Sequence, residues 1–203
     1  MTECLQTIYI WISRIAYCRG FGIQSPSAYR FVRYVINEHY PYYAYAKLKQ
    51  NVRVANRRML RLMRLYMRIV NYVQPEYIID MPDRWKASRQ AYYKAGSCKA
   101  VIINMEEQGN QMTNDSPAAI RTDGKRVVIR TDVQHINTVQ PYLNCIDSAS
   151  IIIIDGIHRN AQARHNWKTL TNNESTGICF DLYYTGIIMM DKSKHKRCYR
   201  INY

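Results

Sequence analysis

Residues 77–96 read YIIDMPDRWKASRQAYYKAG. Tyr77, Ile78 and Ile79 form a short apolar run that ends in the acidic Asp80, the pattern of a buried first strand in a doubly wound sheet. The segment WKASRQAYYKAG then continues with helical spacing, and Gly96 supplies a stop. Where such a strand–turn–helix unit grips a nucleotide, glycines follow the strand, because only they let the backbone turn tightly against the ligand. Here Pro82, Asp83, Arg84, Trp85 and Lys86 stand in that place, and no glycine occurs before Gly96.

Downstream, the same rhythm repeats. KAVIINM (99–105), KRVVIRT (125–131) and SASIIIID (148–155) are short apolar runs of strand length, and the four isoleucines suit a central strand covered on both faces. GICFDLYY (177–184) and GIIMMD (186–191) meet at Thr185-Gly186 and predict a hairpin or bent pair. VQHINTVQPYL (133–143), with a bend at Pro141, and NAQARHNWKTL (160–170) predict helices between them. Strands alternating with helices predict an α/β fold with a mostly parallel sheet. The polar, turn-rich stretch 106–124 reads as a loop.

Upstream the chain is helical. Leu5, Ile8, Ile12 and Ile15 recur at helical steps with Trp11 alongside, and predict a packing helix. This stretch carries Glu3 and Arg14, lacks a basic leader and is too short to span a bilayer. Ser25 before Pro26 predicts the cap of a second helix over 27–40, ended by Pro41. PYYAYAKLK (41–49) is an aromatic connector. Over 51–73, Arg53, Arg57, Arg61, Arg64 and Arg68 form one stripe of a long helix. Met59, Leu62, Tyr66, Ile69 and Val73 form its apolar face. Residues 1–74 therefore read as a helical extension ahead of an α/β domain over 75–203.

The charge is lopsided: 29 Lys+Arg against 15 Asp+Glu, a net +14. Such an excess attracts an anionic partner, nucleic acid or lipid headgroups, with Arg57, Arg61, Arg64 and Arg68 as the contact stripe. Alternatively that stripe is an exposed face whose arginines meet acidic side chains. The apolar N-terminal helix is the candidate surface for oligomerisation. Six dispersed cysteines without a Cys-x-x-Cys pair argue against a zinc site and against a disulfide framework, and read as reduced thiols of a cytoplasmic protein.

GFGIQSPSAYRFVRYVI with PYYAY, IID, SASIIIIDGIHR and FDLYYTGIIMMD together resemble a bacterial family of class I S-adenosylmethionine-dependent methyltransferase-like proteins. The resemblance spans most of the chain. It implies a three-layer Rossmann-like methyltransferase fold, with a C-terminal antiparallel strand pair and S-adenosylmethionine as cofactor. Asp80 and Pro82 fall on its cofactor loop, Glu106 on its ribose-binding acid, and Asp132 at the end of its fourth strand. Asp155 and His158 become the catalytic candidates, His158 as general base and Asp155 orienting it.

The chain departs from that pattern in several places. Pro82 and Lys86 stand where glycine is expected, so the loop should have lost its cofactor geometry. A helix and strand before KRVVIRT are missing, and the late acidic pair is reduced to Asp155-Gly156, one carboxylate where a divalent cation needs more. Two readings follow: a methyltransferase-like protein with reduced or lost activity, or a non-catalytic basic binding module on the same fold.

Overall fold

The computed structural model describes residues 2–52, 54–81, 83–105 and 122–203. Helix α1 (Thr2–Ser13) and a 3-10 turn (Ile15–Gly20) lead into α2 (Pro26–Phe31), which widens into a π-helix (Val32–Ile36). Ser25 caps α2 by accepting from the Ala28 N–H, with Pro26 at the first helical position, as the sequence suggests. The aromatic connector is itself helical, α3 (Tyr43–Asn51). Helix α4 (Arg57–Val73) begins later than its arginine pattern implies, because the Asn56 side chain takes the Met59 N–H and fixes the start there.

The α/β part then runs β1 (Tyr77–Asp80), α5 (Lys86–Gly96), β2 (Val101–Asn104), β3 (Val127–Asp132), a 3-10 helix (Val133–Tyr142), β4 (Ile151–Asp155) and α6 (Ala161–Asn172). Three further strands close it, β5 (Cys179–Asp181), β6 (Thr185–Met189) and β7 (Cys198–Arg200). Among the described residues these form one sheet in the order β2-β1-β3-β4-β6-β5-β7. Strands β2, β1, β3 and β4 pair in parallel, and β6 runs antiparallel between β4 and β5. The expected mostly parallel sheet with a reversed C-terminal pair is present in a Rossmann-like layout. Strand β7, three residues paired in parallel with β5, has no apolar pattern to announce it.

Alternation along the strands sends side chains to two separate cores. Ile78, Val128, Ile151 and Ile153 face α2, α4 and α5, whereas Ile79, Ile129, Ile152 and Ile154 face the 3-10 helix and α6. All four isoleucines of β4 are fully buried, which explains why the run has no polar alternation. On the first face α5 approaches α4 so closely that a Cβ on Gly96 would come 2.5 Å from the Met67 carbonyl oxygen. Gly96 therefore serves the helix contact; it keeps a negative φ, and the helix ends at the extended Ser97 instead of at a left-handed glycine.

The expectation that the apolar face of α1 packs against the chain is overturned. Leu5, Ile8, Trp11, Ile12 and Ile15 are exposed, and Ile10, on the opposite side of the helix, is the buried contact. The spacing correctly announces an amphipathic helix, but spacing alone does not say what lies against its apolar side. Beside Ile10, polar contacts hold this segment: Arg14 bonds Asp181, and Asn202 bonds the Trp11 carbonyl. No helix among the described residues is long and apolar enough to cross a membrane.

Candidate functional site

Ligands of open α/β sheets bind at the carboxyl ends of the parallel strands, and here those ends are β1, β3 and β4. Asp80 closes β1, Arg130 sits opposite it on β3, and Asp155 closes β4. Asp80 is fully buried. Arg89, from α5, places its Nε 3.2 and 3.1 Å from the two Asp80 oxygens, and the Tyr93 hydroxyl donates to the same carboxylate at 3.3 Å. The remaining guanidinium nitrogens of Arg89 reach the Asp83 carboxylate at 2.7 Å and the Met81 carbonyl at 3.1 Å.

Arg130 joins the strand ends. Its Nε lies 2.8 Å and its Nη2 2.7 Å from Asp155 Oδ2, while Nη1 donates to the Met81 carbonyl at 2.8 Å. Nη2 also lies 3.2 Å from Asp83, and Nη1 3.8 Å from Asp80. Asp155 accepts in addition from the Tyr66 hydroxyl at 2.6 Å and from Thr185 at 2.8 Å. Three carboxylates and two guanidinium groups thus interlock at one sheet edge, all but Asp83 buried. Buried charges persist only when paired and hydrogen-bonded in this way. Burial pushes the Asp80 carboxyl above its ordinary value, against the pull of Arg89 and then Arg130. Asp83 is less enclosed, and there Arg89 outweighs burial and holds the carboxyl low. Burial and then the Asp155 charge keep the Tyr66 phenol protonated far above its usual range.

Asp155 and His158 bond different partners. His158 instead places Nε2 2.8 Å from Asp181 Oδ2 and stacks its ring on Tyr183, centroids 4.9 Å apart. Asp181 is fixed further by Arg14 at 2.9 Å and by the Tyr183 N–H at 2.8 Å. Tyr183 holds φ at +70°, a conformation that L residues seldom adopt, to lay its ring beside the imidazole. A shallow cavity of about 290 Å³ opens at this spot, lined by Gly156, His158, Arg159, Tyr183 and Tyr184. Arg14 lies over the Tyr183 ring and Arg58 over Tyr184.

Asp132 stands apart from both groups. It caps the 3-10 helix through the Gln134 N–H and pairs with Arg159 at 2.6 Å. Pro82 and Glu106, the other cofactor-binding candidates, lie outside the described residues, as does Arg53 of the basic stripe. Within that stripe Arg57 and Arg61 are exposed, Arg64 is half-buried, and Arg68 is buried with its guanidinium on the Val35 and Ile36 carbonyls. Neither Arg130 nor Arg89 is singled out by reading the sequence. The available signal is an arginine inside the apolar run VVIRT, which demands a buried acidic partner. No known protein-family model matches this chain, and no curated protein matches it.

Proposed function

We propose that this chain is a methyltransferase-like scaffold that no longer uses S-adenosylmethionine and acts as a non-catalytic binding module. The resemblance of its sequence motifs supports the first half of this reading. So does the reversed strand β6, inserted between β4 and β5 beyond a parallel β1-β3-β4 core.

The observation that carries the second half is Arg130 lying across Asp80, Asp83 and Asp155. S-adenosylmethionine is a sulfonium and an ammonium on one carboxylate, so it needs acidic groups with free lone pairs at the strand ends. Those groups are committed here to two guanidinium ions. The one carboxylate charge in excess of the two guanidinium ions is spread over oxygens already bonded to Arg89, Arg130, Tyr66, Tyr93 and Thr185. The residues present therefore do not fit that cofactor, and no methyl-transfer step is assigned to Asp155 or His158.

Calorimetric titration of the full chain with S-adenosylmethionine and with S-adenosylhomocysteine tests this reading. Neither should give a saturable heat. Binding of either tighter than about 1 mM would overturn the proposal.

A further inference from the structure

Behind α4, on the side turned away from the sheet, a second cavity of about 260 Å³ lies between the end of the π-helix, the turn into α3 and Tyr203. At 100° per residue, Arg57, Arg61, Arg64 and Arg68 fall within about 60° of arc. Tyr66 and Val70, which face the sheet, lie across the helix axis from them. Three of these arginines, Arg61, Arg64 and Arg68, line the cavity.

Each is held in place without being neutralised. The Arg64 guanidinium lies 4.6 Å over the Tyr45 ring, and that of Arg61 4.7 Å over the Tyr203 ring. Arg68 is tied to the Val35 carbonyl at 2.6 Å, the Ile36 carbonyl at 3.0 Å and the Tyr45 hydroxyl at 3.1 Å. Among the described residues no carboxylate pairs with any of the three, although every other buried arginine of the fold has one. Glu38 is the one acid in the lining, and its carboxylate accepts from the exposed Tyr40 N–H. Two buried donors of lining residues, Arg64 Nε and Asn37 Nδ2, have no acceptor among the described residues. Native proteins rarely leave such groups unmet, so these are two spare donors on residues of the cavity lining.

We infer that this cavity binds a phosphate monoester. The group brings nearly two negative charges and three acceptor oxygens, which answer both the uncompensated arginines and the two orphan donors. Guanidinium forks pair bidentately with phosphate oxygens, and three oxygens can serve more than one such fork. A nucleic-acid backbone laid along the helix would reach Arg57 and Arg61 but not Arg68, which is buried. This inference does not depend on the fate of the sheet edge, where the adenosyl titration gives its own separate answer.

Titrating the full chain with inorganic phosphate and with glycerol 3-phosphate at constant ionic strength tests it. Both should bind saturably, and Arg61→Ala with Arg64→Ala should weaken binding at least about tenfold. Arg57→Ala, outside the cavity, should leave it unchanged. Asn37→Asp puts a carboxylate into the same cavity lining as the arginines at constant shape. It should abolish phosphate binding while raising the melting temperature, a result that loss of folding could not imitate. Flotation with phosphatidic acid vesicles separates the sources: arginine-dependent flotation means a lipid headgroup, and phosphate binding without flotation means a soluble ester. Absence of saturable phosphate binding by the unmodified chain would overturn the inference. Binding that survives Asn37→Asp would do the same.

Discussion

The Tyr66 hydroxyl on α4 donates to Asp155 at the end of β4 across 2.6 Å, and it does so from within the helical region that precedes the sheet. Tyr92 on α5 is equally buried, yet its hydroxyl has no partner among the described residues. Two tyrosines on the same side of the sheet thus do opposite things with the same polar atom. Only one of them connects the N-terminal helices to the charged strand ends.

Removing the two hydroxyls should have opposite effects. Tyr66→Phe deletes a donor to a buried carboxylate and should cost about 1.5–3 kcal/mol. Tyr92→Phe removes a buried group that is paying desolvation for nothing, and should be neutral or stabilising by up to about 1 kcal/mol. Urea denaturation of both variants, with unchanged slopes, measures the difference. Equal losses would mean that the Tyr66–Asp155 bond contributes nothing specific.

The Arg130–Asp155 pair predicts strong coupling. Arg130→Met strands buried carboxylates and Asp155→Asn removes the opposing charge, so each alone should cost about 3–5 kcal/mol. Once either is gone the other has less left to lose. The double variant should therefore be more stable than the summed losses by at least about 1 kcal/mol. Additive losses in the denaturation cycle would place the two side chains in separate environments.

Much of the fold is legible because the strands are marked twice, by β-branched apolar runs and by the turn residues between them. Ile151 to Ile154 suit a strand covered on both faces, and Ser25-Pro26 set a helix start through local chemistry that needs no partner, whereas Gly96 is required by the approach of α4. The site is not legible in the same way. Arg130 is recognisable as an oddity within its strand, but it meets Asp80 and Asp155 only through the pairing of β1, β3 and β4. His158 pairs with Asp181, twenty-three positions later, instead of the nearby Asp155. Arg68 shares its stripe with exposed arginines, and only the folding-back of residues 35–45 buries it. Periodicity reports which residues share a face, and contacts between elements decide what covers it.

The outward face of α1 supplies a test of that distinction. Ile12→Ser and Leu5→Ser alter residues 57% and 65% exposed and should change stability by no more than about 0.5 kcal/mol. Ile10→Ala empties a buried contact 8% exposed and should cost about 2 kcal/mol or more. Melting temperatures of the three variants at one protein concentration decide it. A loss at Ile12 as large as that at Ile10 would mean that the apolar face is covered after all.

Acid should reveal the Asp181 cluster. Burial pushes this carboxyl up, but the His158 hydrogen bond and the Arg14 charge outweigh it, and its titration lies below the ordinary 3.8. The folded state therefore binds the proton less readily than the unfolded chain. That difference stabilises the fold at any pH above the ordinary value, and it disappears as pH falls from there through the depressed one. Asp83 titrates in the same sense and Asp80 in the opposite sense, so the unmodified protein alone cannot isolate the effect. Asp181→Asn can: it should be less stable than the unmodified chain by about 3 kcal/mol near neutrality, because Arg14 is left without its carboxylate. As pH falls from the ordinary value through the depressed one the gap should narrow steadily, since the unmodified chain then loses what the variant never had. Urea midpoints of both proteins across that interval measure it, and a gap that stays constant would show that the Asp181 carboxylate is not the group holding Arg14 and His158 together.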